Sequence, residues 1–170
     1  DYPIERLSFM LADSQAKCLL TKQDVYRRLK DGHASKSFEK DIDAEVSGLL
    51  ERALILDDLS VKQLLGQTSS ATLTNTSRAR PLAIHNLAYL IYTSGSTGKP
   101  KGAGNTQEAL VNRIAWMQQL LKLNADDVVL QKTPFSFDVS VWEFLLPLFN
   151  GSQLVIAAPG EHKNPSYIAS

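Results

Sequence analysis

The chain has 170 residues, 44% of them apolar, and its eighteen Lys and Arg are balanced by eighteen Asp and Glu. That is enough apolar material for one domain of ordinary size, and zero net charge with 21% charged residues fits neither a disordered chain nor a nucleic-acid binder that relies on excess cations. The longest apolar runs, such as Leu87 to Tyr92, fall far short of the roughly 20 residues that cross a bilayer, so no membrane partner is expected.

One cysteine, Cys18, cannot form an internal disulfide, which fits a reducing, cytoplasmic compartment. No basic-then-apolar leader opens the chain. The start at Asp1-Tyr2-Pro3, without Met, reads as a piece of a larger protein.

Asp1 can cap a first helix with Pro3 in its opening turn, followed by Leu7, Met10, Leu11 and Ser14 at helical spacing. Ala16 to Thr21 reads as a buried strand, Asp24 to Lys30 as one or two helical turns, and 31–37 as a loop. A weak helix through Ile42, Val46, Leu49 and Leu50 precedes a second strand, Ala53 to Asp58, and a short helix, Val61 to Leu65. Residues 67–86 are rich in Ser and Thr and read as an internal linker or loop.

Leu87 to Tyr92 is the strongest strand signal, and its unbroken apolar character suits a parallel sheet buried on both faces. Thr93 to Gly102 is a loop. Asn105 with Glu108 matches a capping box for an amphipathic helix carrying Leu110, Ile114, Met117 and Leu121. Val128 to Leu130 is a strand, Ser140 with Glu143 a second capping box opening a helix to Leu148, and Leu154 to Ala157 the last strand. Alternating strands and helices imply an α/β fold, a mostly parallel sheet with crossover helices.

The loop Thr93-Ser94-Gly95-Ser96-Thr97-Gly98-Lys99-Pro100-Lys101-Gly102 carries the most evident chemistry. Three glycines permit tight turns that align N–H groups, four hydroxyls add donors, and two lysines add charge. Such a loop suits a polyphosphate. The Walker pattern fails because Pro100 follows Gly98-Lys99 and Thr93 stands where the first glycine belongs. The dinucleotide fingerprint fails at Gln107. Ser96-Thr97-Gly98-Lys99 satisfies Ser-x-x-Lys, but the companion motifs of penicillin-recognising enzymes are missing. A flexible Ser/Gly tether remains the plain alternative.

The stretch Leu87 to Gly102 closely resembles the phosphate-binding signature of adenylate-forming enzymes, and in particular the adenylation domains of nonribosomal peptide synthetases. Asp1 to Leu7 and Phe137-Asp138-Val139-Ser140-Val141-Trp142-Glu143 resemble the flanking core motifs, in the family's order. The resemblance covers nearly all of residues 1–170 and implies a partial N-terminal subdomain. The family's later motifs for adenine and magnesium, ribose, hinge and C-terminal lysine lie outside this sequence. The later subdomain and lid are therefore expected to be absent, no catalytic residue is assigned, and the 170 residues alone are expected to be inactive.

The resemblance implies ATP-dependent activation of an amino acid, with Mg2+, and its transfer to phosphopantetheine on a carrier domain. Carrier and condensation domains are the implied partners. Thr93, Ser94, Gly95, Ser96, Thr97, Gly98 and Lys101 would hold the phosphates, with Lys99 more solvated. Asp138 would pair with the substrate ammonium, since a cation leaving water needs a counter-charge. An acid favoured by a helix N-terminus is the plain reading of the same residue. Val139 and Trp142 fall at side-chain-selecting positions, and Asp-Val-Trp resembles pockets for polar amino acids, serine among them. For Trp142 the plain reading is core packing. Gln107 stands where the family often has His, which removes any charge-bearing role there.

His33, His85 and His162 read as solvated, Cys18 as a small buried hydrophobe, Asp57-Asp58 as a solvated loop and Trp116 as packing. Two other functions compete: an acyl- or aryl-acid ligase, which needs no acid at Asp138, and a noncatalytic remnant acting as an interaction piece.

Overall fold

Helical spacing and short apolar runs settle into seven α-helices and six strands in a computed structural model that describes residues 2–94 and 98–169. The chain divides into two compact units, Asp1–Pro81 with Ser94–Gly102, and Leu82–Thr93 with Ala103–Ser170.

The first unit contains α1 (Ile4–Asp13), β1 (Leu19–Thr21), α2 (Gln23–Ala34), α3 (Lys40–Glu51), β2 (Ala53–Ile55) and α4 (Leu59–Gln67). β1 and β2 pair in parallel, Leu19 opposite Ala53 and Thr21 opposite Ile55, and α2 and α3 lie in the crossover between them. Val46 and Leu49 are fully buried and Leu29 nearly so. β1 is shorter than expected and is not a buried strand, since Leu20 is 63% exposed. The N-cap of α1 is Pro3, while Asp1 lies outside the described residues.

α2 runs past Lys30, where Asp31-Gly32 had read as a stop. A Cβ at Gly32 would come within 2.6 Å of Ile4 Cγ1, so this glycine is a notch that admits the side chain of α1. His33 is buried rather than solvated. Ser8 Oγ, itself fully buried, is 3.1 Å from His33 Nδ1, and Asp43 Oδ1 is 3.0 Å from Nε2. Phe38 stacks on the ring at 4.3 Å. Polar partners brought from two neighbouring helices, α1 and α3, make burial of the imidazole tolerable.

Cys18 is exposed and donates from Sγ to the Arg52 carbonyl at 3.4 Å, so it is not a buried hydrophobe. Asp57 and Asp58 hold helix starts rather than idling in solvent. Asp57 accepts the Gln23 N–H at 2.8 Å, and Asp58 caps α4 by accepting from Ser60 N at 2.8 Å and Ser60 Oγ at 2.6 Å. Those bonds, the hydroxyl's first, hold the Asp58 carboxyl below the usual aspartate range. Residues 68–86 are exposed throughout and contain neither α-helix nor strand, only a 3-10 turn at Asn75–Ser77.

The second unit contains β3 (Leu87–Thr93), β4 (Lys101–Thr106, its first two residues belonging to the first unit), α5 (Gln107–Leu121), β5 (Val128–Gln131), α6 (Val139–Asn150), β6 (Gln153–Ile156) and α7 (Pro165–Ala169). β5 and β6 are parallel, Val128 opposite Gln153 and Gln131 opposite Ile156, with α6 as the crossover. Ile114 and Met117 of α5 meet Leu146 of α6 in the core, with Trp142 and Leu145 packed against it. Leu121, read as part of the same face, is 45% exposed.

The strongest strand departs from expectation. β3 pairs with β4, the next strand in the chain, and not with a parallel neighbour. Just past the pair, Gln107 N donates to Asn86 O at 2.9 Å and Glu108 N to Ile84 O at 3.0 Å, the opposed order of an antiparallel hairpin. The connection over 94–100 is also shorter than the dozen or more residues a parallel crossover needs. Gly104 makes the pairing possible: a Cβ there would stand 2.9 Å from Leu87 Cδ2. Thus α/β crossovers organise two of the three strand pairs among the described residues. No described helix is long and apolar enough to cross a membrane.

Candidate functional site

β3 delivers its last residue, Thr93, to the start of the Ser/Thr/Gly/Lys loop. Ser94 is exposed irregular backbone, and Gly95, Ser96 and Thr97 lie outside the described residues. Gly98 has φ +84°, a left-handed conformation that glycine enters without steric penalty. Lys99 Nζ stands 5.8 Å from the Phe9 ring centroid. Lys101 opens β4.

A strand therefore follows the loop, where a helix was expected. α5 begins only at Gln107, and its cap is Thr106, whose side chain accepts from Ala109 N at 3.2 Å. The Asn105–Glu108 box does not form. Gln107 donates from Nε2 to Leu87 O at 3.4 Å and so ties α5 to β3.

The β5–α6 connection, residues 132–138, carries Asp138. Asp138 occupies the N-cap position of α6, yet its side chain makes no capping bond. Ser140 does not cap either: its hydroxyl donates to Phe137 O at 2.7 Å. Glu143, 4% exposed, reaches back into the connection. Its Oε2 accepts from Thr133 N at 2.9 Å and Lys132 N at 3.1 Å, and its Oε1 accepts the Thr133 hydroxyl at 2.6 Å. The second predicted capping box is thus a buried clamp on the loop that presents Asp138.

Asp138 stands on the shared wall of two pockets in the second unit. The larger, about 370 Å³, is lined by Val139 and Trp142 together with Ala109 and Arg113. The smaller, about 220 Å³, is lined by Thr93, Ala103, Ser136 and Phe137. Tyr89, Asn105 and Asp138 border both. Among the described residues nothing offers the Asp138 carboxylate a hydrogen bond or an ion pair.

The structure therefore brings Asp138, Val139 and Trp142 together, and brings Thr93 to Asp138. Ser94, Gly98 and Lys101 belong to the other compact unit. Trp142 performs both readings at once, one side against the core and another on the pocket. Tyr89, Asn105 and Arg113 were not foreseen as pocket residues. Arg113 follows Ala109 by four residues, one helical turn, and so shares its face, but nothing in the sequence marks that face as a pocket wall. Trp116 is 51% exposed under the Arg113 guanidinium, 5.0 Å from its carbon, so packing in the core is not its place.

Parallel strand pairs with helical crossovers, and two pockets that share Asp138 on their wall, define the α/β architecture. Its backbone is that of adenylate-forming enzymes. It superposes with TM-score 0.65 on the Vibrio cholerae adenylation domain AlmE, solved with glycyl-adenosine-5'-phosphate, at 22% identity over 97% of this chain and 31% of that one. In sequence it is 41% identical to tyrocidine synthase 3 of Brevibacillus parabrevis over 167 residues, 98% of this chain and 2% of the relative. It is 40% identical to enterobactin synthase component F of Escherichia coli (strain K12), over 96% of this chain and 11% of the relative. The chain thus spans a small part of the curated relatives it matches. The family model described as AMP-binding enzyme matches residues 1–169, and the chain belongs to that family.

Proposed function

We propose that these residues are the N-terminal part of an adenylation domain that selects an amino acid and activates it with ATP, for loading onto a phosphopantetheine carrier in nonribosomal peptide synthesis. The observation that carries this reading is Asp138, an unpaired carboxylate between a pocket reaching Thr93 and a pocket walled by Val139 and Trp142. A carboxylate with no partner of its own is a ready counter-charge for an α-ammonium leaving water. Similarity to peptide synthetases over nearly the whole chain supports the same reading.

In this account Asp138 holds the ammonium and turns the substrate carboxylate toward the Thr93 side. Thr93, Ser94, Gly95, Ser96, Thr97, Gly98 and Lys101 receive the polyphosphate, through hydroxyls, turn amides and one cation. Bound ATP supplies the α-phosphate that the carboxylate attacks, with pyrophosphate as leaving group. Among the described residues no group of three or more His, Cys, Asp or Glu is placed to hold a metal; Mg2+ would come with the nucleotide, held largely by its phosphates and water. Carrier and condensation domains of a cytoplasmic synthetase are the proposed partners.

Amino-acid-dependent ATP–pyrophosphate exchange by the full-length protein carrying these residues tests the proposal. Exchange should require the α-amino group, and Asp138→Ala should abolish it. Exchange that persists in that variant with a simple carboxylic acid would identify an acyl- or aryl-acid ligase instead. Absence of exchange together with no heat on titration with ATP would identify a noncatalytic remnant. The 170 residues alone are expected to give no exchange.

A further inference from the structure

The larger pocket holds a cation that the proposed reaction leaves without a task. Arg113 of α5 lines it with Asp138, Asn105, Val139 and Trp142, and is absent from the lining of the smaller pocket. Its guanidinium carbon lies 5.0 Å from the Trp116 ring centroid. Stacking of that kind fixes the plane of the group while leaving its N–H donors available. Among the described residues no carboxylate pairs with Arg113, and it does not pair with Asp138 across the pocket. One cavity is thus lined by a carboxylate and a guanidinium that form no ion pair with each other, together with apolar side chains.

We infer that Arg113 is a specificity-determining residue, selecting amino acids whose side chain carries an oxygen acceptor and rejecting cationic ones. The inference rests on the proposed function. With the ammonium on Asp138 and the carboxylate turned to the Thr93 side, the side chain enters the larger pocket. A pocket of about 370 Å³ has ample room for it. Val139 and Trp142 cover the first carbons, and a hydroxyl, amide or carboxylate beyond them meets Arg113. A charge-assisted bond there favours the acceptor, whereas an ammonium would face a like charge.

The test is pyrophosphate exchange by the full-length protein with serine, asparagine, aspartate, alanine, valine and ornithine, for the parent and for Arg113→Met, Arg113→Lys and Arg113→Glu. Arg113 is exposed, so these variants keep the core intact. The parent should prefer an acceptor-bearing substrate. Arg113→Met should lower kcat/KM for that substrate relative to alanine by about tenfold, the loss of one charged hydrogen bond. Arg113→Lys should recover part of the ratio, and Arg113→Glu should admit ornithine. Amino-acid-dependent exchange with unchanged ratios in the Met variant, or a parent preference for valine or ornithine, overturns the assignment of Arg113 alone. No exchange with any amino acid overturns the proposed function and this inference with it.

Discussion

Replacing Glu143 with Ala should cost far more stability than a single helix residue ordinarily does, because its carboxylate satisfies a loop and not a helix end. Truncation leaves the Lys132 and Thr133 N–H groups and the Thr133 hydroxyl without their acceptor. Lys132 is exposed and water can replace its bond, while Gln131 Nε2, 3.4 Å from Oε2, keeps its bond of 2.6 Å to Thr133 O. The full penalty falls on the two donors of half-buried Thr133, at about 1–3 kcal/mol each when a buried donor is left unsatisfied. A loss of about 2–6 kcal/mol follows, a large share of the roughly 5–15 kcal/mol that stabilises a typical domain. Glu143→Gln should lose only about 1 kcal/mol, since its amide oxygen can still accept from the two backbone N–H groups and its NH2 can donate to Thr133 Oγ1. Urea unfolding of both variants measures the difference. In full-length protein the Ala variant should also raise the KM for amino acid, because the unclamped connection carries Asp138. An Ala variant within about 1 kcal/mol of the parent, or one no weaker than the Gln variant, would refute the clamp.

His33→Phe should fill the ring's space and keep the stack on Phe38, yet strand the fully buried Ser8 hydroxyl. A loss of about 1–3 kcal/mol in chemical denaturation is expected, and unchanged stability would return His33 to a solvated role. Asp58, whose carboxyl titrates below the usual aspartate range, supports α4 fully above that range. Its contribution disappears as pH falls through the lowered folded value, because protonation removes the charged acceptor. Amide protection at Ser60 should fall with acid in the parent but not in Asp58→Asn, and equal pH profiles would contradict the cap.

Local periodicity carried the order of the elements well. The 110, 114, 117 spacing produced the buried face of α5, and the apolar run 87–92 produced β3. Pairing was not legible, because it depends on contacts distant in sequence. Lys101-Gly102-Ala103-Gly104-Asn105-Thr106 has poor strand propensity and becomes β4 only because β3 lies beside it and Gly104 leaves room for Leu87. Gly32 read as a helix stop for the same reason, its partner Ile4 being on another helix. Both capping boxes matched a spacing that four-residue patterns meet by chance: Thr106 took the cap of α5, and Ser140 and Glu143 found other partners. At the site, Asp138, Val139 and Trp142 were legible because they sit together in one motif. Tyr89, Asn105 and Arg113 were not, since three separate elements bring them to Asp138.

Soaking or co-crystallising the full-length protein with an aminoacyl sulfamoyl-adenosine, an unreactive mimic of an aminoacyl adenylate, would address the heart of the account. The ammonium should lie within hydrogen-bonding distance of Asp138, the side chain should face Val139, Trp142 and Arg113, and the sulfamoyl group should lie on the Thr93 side. A ligand whose amino group sits away from Asp138, or whose side chain avoids the larger pocket, would contradict it.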